Sequence, residues 1–255
     1  MTTFWAVPFA AGRIPPLFAS YNFDDVLPVL LAVVVALLIV RMVIVKLRSK
    51  KRIRELQSGA LLMGYTFDGE GTALLAQIGD LPVHLFSIGT AKIINNVLRG
   101  PGVVLFDYQH TTIGGRSKYT TRQTVAGFSY PGATIPQFRL GPEHWWNKVT
   151  DGLISVNTHK LKLIHFDSNP TFSKRFHLRG PDEPAIHMFF APPLLTYLES
   201  LPEKSAWTVE GAGSWLIVYV HGHLTAPAAL RAFADETSAI AAQIASNAGT
   251  RLTAG

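Results

Sequence analysis

The longest apolar run in the chain is Val26 to Val45, VLPVLLAVVVALLIVRMVIV, with Arg41 its one charge. At the rise of an α-helix such a run covers the roughly 30 Å hydrocarbon core of a bilayer. Arg41 lies near its end, where a long guanidinium side chain reaches the headgroups. Pro28 falls in the first turn, where no helical hydrogen bond is lost. Asp24 and Asp25 precede the run and complement the positive end of a helix dipole. A core helix rarely carries aliphatic residues on every face, and a signal peptide has its basic residues before the apolar run rather than after it. The pattern predicts one transmembrane helix over 26–45. It is preceded by an aromatic, proline-rich segment 1–25 and followed by a basic juxtamembrane helix 46–63.

Beyond Met63 the spacing of apolar residues changes from runs to alternation. Gly64–Gly71 reads as a short strand and turn, and Leu81–Ile88 as a strand. Thr90 is positioned to cap a short helix, AKIINNVL, stopped by Gly100-Pro101. Val103–Thr112 and Lys118–Phe128 form the arms of a hairpin about Gly114-Gly115, rich in β-branched and aromatic residues. Ile135–Leu140 is a further strand, and Pro142 opens a helix, PEHWWNKV. Strands are expected at Leu161–Phe166, Lys174–Leu178, Ala206–Glu210 and Trp215–Val220. Helices are expected at Asp182–Phe190 and Leu194–Glu199. The cytoplasmic body is thus 64–224, and an alanine-rich helix and tail occupy 225–255. The class is α+β: one N-terminal transmembrane helix, then a mostly antiparallel sheet with flanking helices.

Charge sharpens the topology. Arg41, Lys46, Arg48, Lys50, Lys51, Arg52 and Arg54 are opposed by Glu55 alone over 41–55. By the positive-inside rule the N-terminus faces out and the main domain faces the cytoplasm. The same seven cations are the candidates for contact with membrane lipid. Residues 56–255 hold 15 basic and 14 acidic side chains, so no nucleic-acid-binding face is expected. The chain has no cysteine, which excludes disulfides, thiolate metal sites and Cys-ligated clusters. Phe4, Trp5, Phe9, Phe18 and Tyr21, together with Trp145 and Trp146, are candidates for contact with a partner membrane protein or the bilayer interface.

Three stretches carry a likeness: LFDYQHTTIGGRSKYTTRQTV (105–125), IPQFRLGPEHWW (135–146) and FSKRFHLRGPDEPAIHMFFAPPLLTYLE (172–199). In order and pattern they resemble a group of uncharacterised bacterial single-pass membrane proteins. The resemblance implies a tethered cytoplasmic domain in a bacterial inner membrane and carries no activity with it. Near Ile186 the group shows arginine where this chain has His187.

Candidate chemistry is sparse. His221 and His223 would share one face of a strand and could reach one metal ion, but no third ligand follows at a known spacing. Glu143-His144 at a helix start is better read as a dipole-complementing acid beside anchoring tryptophans. Asp107, between Phe106 and Tyr108, could act as a general base, but pairing with Arg116, Lys118 or Arg122 across the hairpin is the simpler role. Lys174, Arg175, His177 and Arg179 form a basic run beside Phe172 and Phe176. Gly69-Glu70-Gly71 lacks the third glycine of a dinucleotide loop, since Leu74 stands there. Ala212 breaks the serine-nucleophile elbow at Ser214. No catalytic residue, cofactor or resident metal is expected. The reading is a non-catalytic, membrane-anchored interaction protein. It would be an accessory subunit bracing a larger membrane complex, of respiratory or photosynthetic type, with membrane lipid and other membrane subunits as partners. A lipid-headgroup-binding or sensing module and a membrane-tethered hydrolase are the alternatives.

Overall fold

The computed structural model describes residues 23–115, 117–142, 161–202 and 206–246. The chain forms two units that divide between Lys50 and Lys51. Helix α1 runs from Phe23 to Met63. Every described side chain from Leu27 to Lys50 is exposed in the isolated chain, including the whole aliphatic run. An all-round apolar helix with no protein cover is the expected state of a segment whose solvent is lipid. The helix is long and apolar enough to cross a membrane.

The second unit is built on one nine-stranded sheet, in which every neighbouring pair of strands is antiparallel. The strands are β1 (Thr66–Glu70), β2 (Thr90–Gly100), β3 (Val103–Gly114), β4 (Ser117–Ser129), β5 (Ile135–Pro142), β6 (Lys162–Ile164), β7 (Phe176–Gly180), β8 (Trp207–Gly213) and β9 (Trp215–Val220). Their order across the sheet is β1-β2-β3-β4-β9-β8-β5-β7-β6. The first four strands form a meander. The late β8–β9 hairpin then separates β4 from β5.

Both faces of the sheet are covered, and alternation along the strands sorts the residues between them. Val103 and Leu105 of β3 join one core. Val104, Phe106 and Tyr108 join the other. The first core packs beneath the end of α1, through Leu56 and Ala60, and beneath α4 (Pro170–Arg175), α5 (Glu183–Phe189), α6 (Pro192–Ser200) and α7 (Leu230–Ser246). The second lies under α2 (Thr72–Ile78) and α3 (His84–Ser87). The C-terminal helix α7 buries Leu230, Phe233, Thr237, Ile240 and Ile244, an i, i+3, i+4 stripe that fixes it on its own domain. Asp182 caps α5 by accepting from the Ala185 N–H at 3.1 Å, and Pro192 and Pro193 sit in the first turn of α6. Gly180 lets α5 close on β7, since a Cβ there would lie 2.1 Å from Ile186 Cδ1 and 2.7 Å from the Gln137 carbonyl oxygen.

Two sequence expectations are overturned between β1 and β3. Residues 81–88 do not form a strand: α3 occupies His84–Ser87, and α2 precedes it. Alternation there came from a short amphipathic segment laid on the sheet, with Val83, His84, Leu85 and Phe86 all buried. Residues 91–98 do not form a helix either. They belong to β2, and Gly100-Pro101-Gly102 turns that strand into β3. The β-branched Ile93, Ile94 and Val97 favour extension. The sequence hid the strand because two irregularities interrupt its register, where Ala91 (φ 50°) and Asn96 (φ 52°) adopt left-handed backbone. The strand expected from Lys174 starts at Phe176 instead, because Lys174 and Arg175 end α4. The helix expected from Pro142 falls outside the described residues, as do Trp145, Trp146, Phe4, Trp5, Phe9, Phe18 and Tyr21. Pro142 itself is the last residue of β5.

Candidate functional site

The densest polar cluster among the described residues is buried under α3. Strands β5, β8 and β9 bring Arg139, Glu210 and Tyr219 to the same face. Arg139 stands opposite Glu210 in the register of β5 and β8. Glu210 is fully buried. Its Oε1 accepts from the Tyr219 hydroxyl at 2.5 Å, and its Oε2 accepts from the Leu85 N–H at 3.2 Å. Arg139 Nε lies 3.6 Å from Glu210 Oε1, an ion-pair separation beyond hydrogen-bond reach. Tyr108 donates to the Leu85 carbonyl at 3.2 Å. Lys92 donates to the Phe86 carbonyl and Gln137 to the Pro82 carbonyl. The backbone of the Pro82–Phe86 segment is therefore held by side chains from four strands.

Burial dominates the electrostatics here. It pushes Glu210 up, while Arg139, Tyr219 and the N–H groups of Leu85 and His84 pull it back. Burial and the neighbouring Glu210 raise Tyr219 and Tyr108. Burial, with Arg139 adding repulsion, lowers His84 to about 2 and His221 to about 4. His110 is lowered by burial and by Lys92. Arg179, opposite Arg139 across β7, is lowered by burial and then by that neighbour. The cluster sets depressed imidazoles and a raised acid beside the Arg139 and Arg179 guanidiniums, and its hydrogen bonds hold the Pro82–Phe86 segment, with α3, on the sheet.

The histidine pair does not present a two-point metal site on a strand. β9 ends at Val220, and Gly222 turns the chain with φ +66°. The i, i+2 alternation therefore stops before His221. His221 is half-buried and near enough to Arg139 and His110 to be repelled by their charge, while His223 is exposed. Among the described residues no group of three or more His, Asp or Glu side chains is placed to hold a metal ion.

Asp107 also finds a partner the sequence did not indicate. Arg52 of α1 approaches in bidentate fashion, Nε to Oδ2 and Nη2 to Oδ1, both at 2.9 Å. Asn96 donates to Oδ2 at 2.9 Å and Thr124 to Oδ1 at 3.0 Å. Arg52 Nη1 also donates to the Thr225 carbonyl at 2.8 Å. Of the hairpin cations expected beside Asp107, Arg122 instead donates to Gln109 at 2.6 Å and Lys118 faces Ile113 in register, while Arg116 lies outside the described residues. Arg52, expected among the lipid-contacting cations, is thus turned onto the sheet, whereas Arg41, Lys46, Arg48, Lys50, Lys51 and Arg54 are exposed. Lys51 pairs with Glu55 at 3.7 Å. Replacing Arg52 with alanine is expected to cost about 2 kcal/mol, because a mostly covered carboxylate loses its charged donors. Lys46→Ala should be near neutral. Urea melts of both variants in detergent test this, and equal midpoints would deny the clamp its role.

In the basic run near β7, Arg175 is engaged while Lys174 is exposed. Phe172 and Phe176 are buried, and Arg175 donates to the carbonyls of Glu199 and Leu201 while stacking over Phe176. His187 lies 3.6 Å from Glu183 and against the Phe166 ring. An open groove of about 740 Å³ runs between the end of α1 and residues 226–231. A smaller hollow of about 460 Å³ lies beside α5, lined by Gln137, Asp182 and Met188.

No family model matches the chain, and no curated protein matches it. Among solved structures, the crystal structure of the mycobacterial trehalose monomycolate transport factor A, TtfA, is similar in fold. It has a TM-score of 0.52 at 15% identity, covering 76% of this chain and 93% of that one.

Proposed function

We propose that this protein is a non-catalytic accessory factor, tethered in a bacterial inner membrane, that braces a larger membrane assembly. The observation that carries the reading is the pairing of an uncovered aliphatic helix with a sheet domain whose two faces are both closed. The helix offers its whole surface to lipid or to partner helices. The polar clusters in the domain hold its own elements together, and both Asp107 oxygens are engaged by Arg52, Asn96 and Thr124. That favours an interaction protein over the hydrolase alternative. The distribution of basic residues after the span supports an N-terminus outside and a domain in the cytoplasm. The fold likeness to the trehalose monomycolate transport factor supports a transport assembly over a respiratory or photosynthetic one.

The test is purification of the tagged full-length protein from its own membranes in mild detergent, with mass spectrometry of what survives a high-salt wash. A stoichiometric set of membrane transport subunits is the expected result. A bare monomer or homo-oligomer would overturn the bracing role.

A further inference from the structure

The groove at the end of α1 differs in character from the buried clusters. Its walls are Ser58, Gly59, Leu62 and Met63 on one side and Ala226, Pro227, Ala228 and Leu230 on the other. Leu62 is 81% exposed, and Leu61 beside it 79%. The floor is apolar and open, yet two guanidiniums mark its rim: Arg54 and Arg231. Arg231 is held by donating to the Leu62 carbonyl at 2.7 Å. Arg54 has no acidic partner among the described residues. Glu55 also reaches the rim but is paired with Lys51. The volume of about 740 Å³ falls within the range of small-molecule sites. The wall formed by residues 54–63 belongs to the same helix that carries the aliphatic run.

An apolar trough rimmed by two guanidiniums is complementary to one kind of molecule, an amphiphile with an anionic head. Guanidinium forks pair with phosphate oxygens bidentately, and acyl methylenes gain by leaving water for an apolar floor. We infer that the groove binds one anionic glycerophospholipid, its acyl chain along Leu62, Met63 and Leu230 and its phosphate between Arg54 and Arg231. The inference needs the membrane anchor but not the bracing role, so either can fail alone.

Gly59 supplies the means of testing it. A Cβ built there meets nothing within 4 Å, and Gly59 lines the groove, so a side chain can be introduced there without a clash at its base. A helix also tolerates other residues better than glycine. The experiment is native mass spectrometry of the full chain in detergent, titrated with phosphatidylglycerol or phosphatidylcholine. The wild type is expected to retain a single phosphatidylglycerol in preference to phosphatidylcholine. Gly59→Trp should weaken that retention by about tenfold or more, with an unchanged or raised melting temperature. Arg54→Gln combined with Arg231→Gln should erase the preference for the anionic lipid. Should tryptophan disturb the fold, Gly59→Leu makes the same test with a better helix former. Equal retention by wild type and Gly59→Trp would assign the lipid to the span and overturn the inference. So would equal retention of the two lipids by the wild type, or a co-purifying protein segment that cross-links into the groove.

Discussion

Glu210→Ala is expected to destabilise the domain by about 3–5 kcal/mol, because it leaves buried donors without their acceptor and a cavity in their midst. Two donors lose their acceptor at once, the Tyr219 hydroxyl and the Leu85 N–H, and the Arg139 guanidinium 3.6 Å away loses its counter-charge. Glu210→Gln is expected to cost less, about 1–2 kcal/mol, because the carboxamide oxygen can still accept from the Leu85 N–H while the Tyr219 hydroxyl turns to accept from the carboxamide nitrogen. The sign with pH follows from the raised value. The acid's contribution is fully present below its ordinary carboxylate range and is lost as pH rises through its folded value. The glutamine variant should therefore close the gap to wild type, or overtake it, as pH rises. Denaturant midpoints for both variants at several pH values decide the matter. Equal damage from glutamine and alanine would show that the ionised pair with Arg139, rather than hydrogen bonding, holds α3 down.

The second large effect is loss of stability in acid. His84 and His221 fold with values of about 2 and about 4, against an ordinary value of 6.5. Their folded values are depressed, so the stability they contribute is present above pH 6.5. It is lost as pH falls toward those folded values. Each histidine can remove up to about 1.4 kcal/mol per pH unit in that window. Protonation of Glu210, whose folded value is raised, opposes them over part of that window, and the net expectation is a loss of stability and a lower Tm in acid. The charged neighbours that set the effect are Arg139 and Lys92, with His110 titrating alongside. His221→Gln should flatten the dependence between pH 6.5 and 4, as followed by thermal melts in detergent. A melting temperature that stays level across this range would refute the buried neutral histidines.

Much of the architecture was legible because it depends on local signals. The aliphatic run over 26–45, the helix end at Met63 and the Gly114-Gly115 hairpin are all written in contiguous residues. So is the Asp182 cap of α5. The strand β2 was not legible. Its two left-handed residues break the alternation, and Thr90 imitates a helix cap. The buried cluster was hidden for a different reason. Gln137 and Arg139 alternate with Phe138 and Leu140, and Glu210 with Val209. In a single sequence that pattern reads as a solvent-facing edge of a half-buried strand. Only the arrival of α2 and α3 over this face makes those polar residues interior, and nothing local to β5 or β8 announces it. The pairing of Arg52 with Asp107 spans 55 positions, so a basic cluster beside a membrane segment gave no hint that one of its members faces the sheet.

The strand order also has a consequence for how the chain is made. β4 and β5 are close in sequence, yet in the sheet β9 and β8 separate them. While the ribosome is still short of Val220, the nascent polypeptide carries two open strand edges in the middle of its future sheet. The meander of β1–β4 and the strand β5 must wait for a hairpin that follows only after β6, β7 and the helices α4, α5 and α6. Pairings of such long sequence separation form slowly, and unpaired edges invite association with other chains. The aliphatic helix emerges long before. A helix of this length and apolarity can engage a bilayer before the sheet is complete, which would hold the waiting edges close to that surface.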